Sequence, residues 1–243
     1  MRKFHIGAIK IKKWLINLGL VFILLLVGGS CILAGVNYIP TMAVSGVYYN
    51  GNKEGNNISL MINVYWGTEY IDDILQIFKE KNVKSTFFIG GTWAVMNENC
   101  LKKIYEEGHE IANHGYHHKD HDKLNEEQNI EEIQTTHKIV KELLGVEMNL
   151  FAPPSGAYDK TTVLSASGLG YKTIMWTRDT IDWRDHDENL IYKRAVKNAA
   201  GGDLILMHPT KETVLALPKI IDDLQNKGLE ITTVSQNLKP NIA

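Results

Sequence analysis

From Ile58 onward, β-compatible apolar runs alternate with segments of helical periodicity, and this constrains the fold more than any other feature of the 243 residues. Residues 58–64 form an apolar run that reads as a buried strand, ending in "MINVYWG". Ile71, Ile74, Leu75 and Phe78 then fall at i, i+3, i+4 and i+7, one face of a helix. "STFFI" at 85–89 reads as a second strand, and residues 92–107 as a helix closed by Gly108. Ile130, Ile133, His137, Val140 and Leu144 mark a further amphipathic helix. Strand-like pieces recur at 149–152, 171–176, 204–207 and 231–234, with helical stretches near 159–168, 187–199 and 211–227. Such alternation predicts an α/β domain with a parallel sheet. Seven or so units in this length fit a small or distorted barrel better than a full eightfold one, with an open doubly wound sheet as the alternative.

The N-terminus is organised differently. Arg2, Lys3, Lys10, Lys12 and Lys13 precede 23 uncharged positions, 14–36. About 20 apolar residues span a bilayer as a helix, and basic residues before the span keep that side cytoplasmic. The expected organisation is a basic cytoplasmic tail at 1–13 and a single-pass anchor in the cell membrane at 14–36. A linker with a short strand at 47–49 follows at 37–57, then an extracytoplasmic domain at 58–239. A cleaved signal peptide is the competing reading of 14–36; the apolar "SCILAGV" continues past any small-residue cleavage point and favours the anchor. A net charge of −2 with 22% charged residues gives no sign of a nucleic-acid partner. The two cysteines, Cys31 and Cys100, make no disulfide framework.

Candidate chemistry clusters just after predicted strands, where parallel α/β folds build their sites. Four of the nine histidines fall within 114–121. His114 and His118 are four apart, and on a helical turn both rings would reach one ion. Asp179 and Asp182 lie beside Trp183. His208 ends a buried strand, "LILMH", and suits a general acid. "FAPPSGAYD" is a turn fixed by prolines and glycine. His109 reads as structural and His137 as a packed residue.

Taken in order, these segments resemble the polysaccharide deacetylase family, the NodB-homology domain of carbohydrate esterase family 4, over about residues 58–238. "HGYHH" is similar to its His-x-x-x-His motif, "FAPPSGAYD" to its Arg-x-Pro-Tyr-Gly loop, "DTIDW" to Asp-x-x-Asp-Trp and "LILMH" to Leu-x-His. "ISLMINVYWG" with "STFFIGG" stands in place of the Thr-Phe-Asp-Asp-Gly and Ala-Thr-Phe-Phe strands. The insertion before Trp66-Gly67 is most like the sporulation-associated, membrane-anchored branch. The resemblance implies a distorted (β/α)7-8 barrel of the polysaccharide deacetylase type, preceded by one transmembrane helix. It implies metal-dependent removal of acetyl groups from N-acetylated glycan, with peptidoglycan the expected substrate. His114 and His118 would hold a divalent metal, usually zinc. His208 would be the general acid, oriented by Asp182, and Trp183, Leu206, Pro154 and Tyr158 would meet substrate.

The departures share one physical logic. The family's base aspartate aligns with Asn63, its neighbouring metal-binding aspartate with Val64 or a position displaced by Tyr65-Trp66, and the arginine that pairs with the base with Ala152. An amide is no base at neutral pH. Without the carboxylate, a buried arginine facing it would be an uncompensated charge, so Asn63 and Ala152 read as a paired loss. Activity is expected to be weak or absent, with a non-catalytic glycan- or metal-binding factor of the cell wall or spore as the alternative. Glu69 or Asp179 would be substitute bases, and Asp120 or His121 would complete a metal shell.

Overall fold

A computed structural model describes residues 46–240. The expected anchor at 14–36, the tail before it and Cys31 lie outside those residues; among the described residues no helix is long and apolar enough to cross a membrane. The elements run β1 (Val47–Tyr48), β2 (Asn57–Val64), α1 (Ile71–Glu80), β3 (Thr86–Ile89), α2 (Gly91–Met96), α3 (Glu98–Glu106), β4 (Glu110–Asn113), α4 (Glu126–Leu144), β5 (Leu150–Phe151) and α5 (Lys160–Gly168). They continue with β6 (Lys172–Ile174), β7 (Arg178–Asp179), α6 (Asp182–Asp185), α7 (Glu188–Val196), β8 (Leu204–Met207), α8 (Lys211–Asn226), β9 (Glu230–Ile231) and α9 (Val234–Asn237).

Every strand pairing is parallel. The strand order is β1-β6-β5-β4-β3-β2-β8-β7, with β9 added to β2. From β6 back to β2 the order is monotonic, as in barrel winding, and lacks the mid-sheet reversal of a doubly wound fold. β6 and β7 are separated by three residues, 175–177, yet lie six strand steps apart along the sheet. Six steps in a flat sheet would be roughly 29 Å, whereas the link from Ile174 to Arg178 reaches at most about 14 Å. The sheet must therefore curl. It remains a half-barrel, with no ladder joining β6 to β7, which narrows the expected barrel to an open one.

Alternation along the strands sorts the core into two layers. Ile58, Leu60, Ile62 and Val64 of β2 face the helices together with Ile74, Phe78 and Phe87. Met61 faces the concave side with Phe88, Ala112, Ala152, Ile174 and Leu204, and Asn63 follows Met61 at the open end of that side. α1 buries Ile71, Ile74, Leu75 and Phe78, as their spacing predicts. The helix expected at 92–107 breaks at Asn97 into α2 and α3. α4 carries an Asn125–Gln128 capping box, but its inward face is not the apolar stripe of the sequence. It buries Asn129, Glu132 and Thr136 beside Ile133 and Val140, because it packs beneath a polar loop that needs hydrogen-bonding side chains. His137, expected in the core, is half-buried and bridges Tyr171 and Glu147. His109 is structural as expected: its Nδ1 accepts from the Ser85 amide and its ring packs between Phe78 and Phe87.

Candidate active site

The carboxyl ends of β2, β4, β5, β7 and β8 surround a pocket of about 360 Å³. At one corner β8 delivers His208. The chain after β7 turns through Ile181, at φ 55°, into α6 and delivers Asp182. Asp182 is fully buried. One carboxylate oxygen accepts from His208 Nδ1 at 2.8 Å and the Trp183 amide at 2.9 Å. The other accepts from the His208 amide at 2.6 Å and the Thr213 hydroxyl at 2.6 Å. Four donors thus satisfy the buried charge. They also fix the tautomer: Nδ1 of His208 carries the proton, leaving Nε2 for the pocket. The indole of Trp66 stacks on the His208 ring, centroids 5.2 Å apart.

At the opposite corner β4 delivers His114, whose Nδ1 donates to the Ala152 carbonyl at 2.8 Å. That bond leaves a lone pair on Nε2. Burial, reinforced by His118, holds the His114 pKa well below the usual histidine value. Burial also lowers His118, to about 4. Both rings are therefore neutral donors at physiological pH, 5.1 Å apart between centroids. The helical-turn argument for their spacing fails. Residues 114–118 are a loop, and the rings converge because Gly115 at φ 72° and His118 at φ 55° fold the chain back. Gly115 is required twice over, since a Cβ there would also lie 3.1 Å from His121 Nε2.

The loop hangs on a residue that sequence reasoning missed. Glu132 of α4 is buried and accepts from the Tyr116 and His117 amides at 2.8 and 2.7 Å, and from His117 Nδ1 and Lys119 Nζ, both at 3.0 Å. Burial pushes its carboxyl up, but these donors prevail and hold it below the ordinary glutamate value. A glutamate one position before Ile133 on the inward side of α4 was the available signal.

Between the two corners stands Asn63. Its side chain lines the pocket and is 3% exposed, and its Oδ1 has no hydrogen-bond partner. Val64 points the other way, into the apolar layer. Asn63, His114, His118, Trp183, Leu206 and His208 line one pocket, together with Tyr65 and Trp66, which the sequence showed only as an insertion, and Trp176, which it did not single out. Pro154 and Tyr158, expected to meet substrate, are not in that lining. Pro154 is buried beside Gly115. The turn through Ser155 at φ 57° and Gly156 at φ 66° aims Ser155 into the pocket and leaves the Tyr158 hydroxyl against that of Tyr49.

Of the substitute groups, Asp179 lines the pocket, and burial raises its pKa. Glu69 is exposed and accepts from the Thr68 amide instead. Asp120 is taken by Lys123 and Ser155. His121 is buried against Asn129 and Phe151. Among the described residues no three histidine, cysteine or carboxylate side chains cluster as a metal would require.

A family model described as polysaccharide deacetylase matches residues 50–174. An uncharacterized protein of Bacillus subtilis is 37% identical over 188 residues, 77% of this chain and 59% of that protein. A peptidoglycan-N-acetylglucosamine deacetylase of Bacillus cereus is 33% identical over 171 residues, 68% of this chain and 62% of that protein. The chain thus spans less than two thirds of the length of either relative. Among solved structures, a carbohydrate esterase family 4 pseudoenzyme from Bacillus anthracis matches with a TM-score of 0.78 at 33% identity, over 79% of this chain and 69% of that one. A mutant of that pseudoenzyme, described as having restored enzymatic activity, matches with a TM-score of 0.78 at 32% identity, over 79% and 71%.

Proposed function

The chain belongs to the polysaccharide deacetylase family, and we propose that it is a deacetylase-like protein of the cell wall that binds N-acetylated glycan, such as peptidoglycan, with little or no turnover. One observation carries this reading: the acid corner keeps a fully bonded His208–Asp182 pair, while the base position holds a buried amide whose oxygen has no partner. An amide cannot take the proton from an attacking water, and general base catalysis is worth about 10²–10⁴ in rate. His208 Nε2 would still accept a hydrogen bond from a hydroxyl or amide group seated in the pocket, with Asp182 holding the ring. Trp183, Leu206 and Trp176 would bound the acetyl and sugar faces.

Family members are generally metal-dependent. Here His114 and His118 offer two nitrogen donors, against three protein ligands in catalytic zinc sites. A zinc ion in a complete shell does not fit this donor set. As part of the same proposal, residues 14–36 anchor the protein in the cell membrane with its domain outside, as the five preceding basic residues suggest. The resemblance around Trp66-Gly67 supports the sporulation-associated branch.

The test is acetate release from N-acetylglucosamine oligomers and from peptidoglycan, native chain against His208→Ala. Equal release from the two, at background, supports the proposal. Release that His208→Ala abolishes shows a working hydrolase and moves the base to Asp179, the carboxylate lining the pocket.

A further inference from the structure

β2 ends on Asn63-Val64, and the chain adds Tyr65 and Trp66 before Gly67 turns it away at φ 60°. Because Val64 faces the apolar layer, Tyr65 is the next side chain to reach the pocket. Its ring lies on that of His118, centroids 3.4 Å apart and planes 19° from parallel. Trp66 lies over His208 at a larger offset, centroids 5.2 Å apart and planes 25° from parallel. Two aromatic rings are thus each laid on one of the site imidazoles.

Stacking of this kind does not serve metal binding. An ion held by His118 lies in the imidazole plane, roughly 2.0–2.1 Å from the nitrogen, and accepts oxygen donors at about 2.0–2.2 Å. A phenol in a near-parallel plane displaced by the stacking distance keeps its oxygen outside that reach. Tyr65 therefore covers His118 without being a ligand. We infer that Tyr65 takes over the structural task of the metal, holding His118 by ring stacking, and that the pocket binds a neutral N-acetylated sugar without any metal. The sugar part rests on the proposed glycan-binding function. The pocket suits it physically: Trp66, Trp176 and a half-exposed Trp183 offer aromatic faces to the C–H faces of a pyranose, and His208 offers a polar contact.

The experiment pairs zinc titration with N-acetylglucosamine oligomer binding, read by tryptophan fluorescence, on the purified chain, Tyr65→Asp and Tyr65→Phe. The native chain and Tyr65→Phe are expected to take up no stoichiometric zinc. Oligomer affinity should be the same in chelator and in zinc. Tyr65→Asp supplies the missing carboxylate and should gain at least ~100-fold in zinc affinity, since even outer-shell changes shift it about 10–100-fold. One zinc per native chain at sub-micromolar affinity overturns the inference, as does an oligomer affinity that chelation weakens about tenfold or more. Zinc behaviour as expected with no oligomer bound under any condition overturns the glycan reading and leaves the metal-free pocket standing.

Discussion

The Asp182 corner of the pocket and the Asn63 position are built to different standards. At Asp182 a fully buried carboxylate meets four donors and fixes one tautomer of His208. On β2, Asn63 presents a buried oxygen to nothing. Native proteins rarely leave such an atom unpaired, and Ala152 on the same side of the sheet offers it no side-chain donor. The difference separates two kinds of retention. The acid corner also holds α6 and the start of α8 in place through Thr213, so it would persist for stability alone. Asn63 Oδ1 holds nothing.

That contrast makes mutational predictions, the largest first. Asp182→Ala strands the His208 ring, two amides and the Thr213 hydroxyl, and should destabilise the fold by about 3–5 kcal/mol. Asn63→Leu, of similar shape, removes an unsatisfied group and should lie within about 1 kcal/mol of native. Urea unfolding of both variants breaks the comparison if the two costs are alike. Acid should act next. Burial lowers His109 to about 4, while the unfolded value is about 6.5. The unfolded state therefore binds the extra proton between these values. This contribution, roughly 3 kcal/mol, is whole above pH 6.5, falls as pH drops toward 4 and is flat below. His114, His118 and His121 shift the same way. Thermal midpoints across pH 4–8 should fall on the acid side, and His109→Phe should shallow that fall; a flat profile in the native chain removes the buried neutral histidines from the account.

Smaller effects sharpen the picture of the loops. Glu132→Gln keeps the shape but loses the charge that four donors face, at a cost of about 2 kcal/mol. Amide exchange should rise first at Tyr116 and His117. Unchanged exchange there would mean the loop does not depend on α4. Ile181, a β-branched residue at φ 55°, carries strain of the order of 1 kcal/mol. Ile181→Asn should relieve part of it and raise the midpoint slightly, provided the Asp182–His208 distance is kept.

Much of the sheet was legible, because an apolar run marks β2, a period of 3.6 marks α1 and His208 ends the run that forms β8; β4, which delivers His114, and β7, which leads to Asp182, were not read as strands. What the sequence hid depends on context. Two-residue strands such as β7 have no period to read. The inward face of α4 turned polar because it serves a loop, which only the packing reveals. His114 and His118 were found for a wrong reason, a helical turn, when left-handed residues bring them together. Tyr65 and Trp66 were read as an insertion, although their stacking on both imidazoles is the feature that most alters the chemistry. Aromatic residues at a strand end carry no signal of what they will cover.

The most direct measurement restores the missing half. Acetate release from N-acetylglucosamine oligomers should be compared between the native chain and Asn63→Asp combined with Tyr65→Asp, both in zinc. The account predicts background release from the native chain and a gain of about 10² or more in the double variant, lost again on adding His208→Ala. Release by the native chain at the rate of the double variant would contradict it.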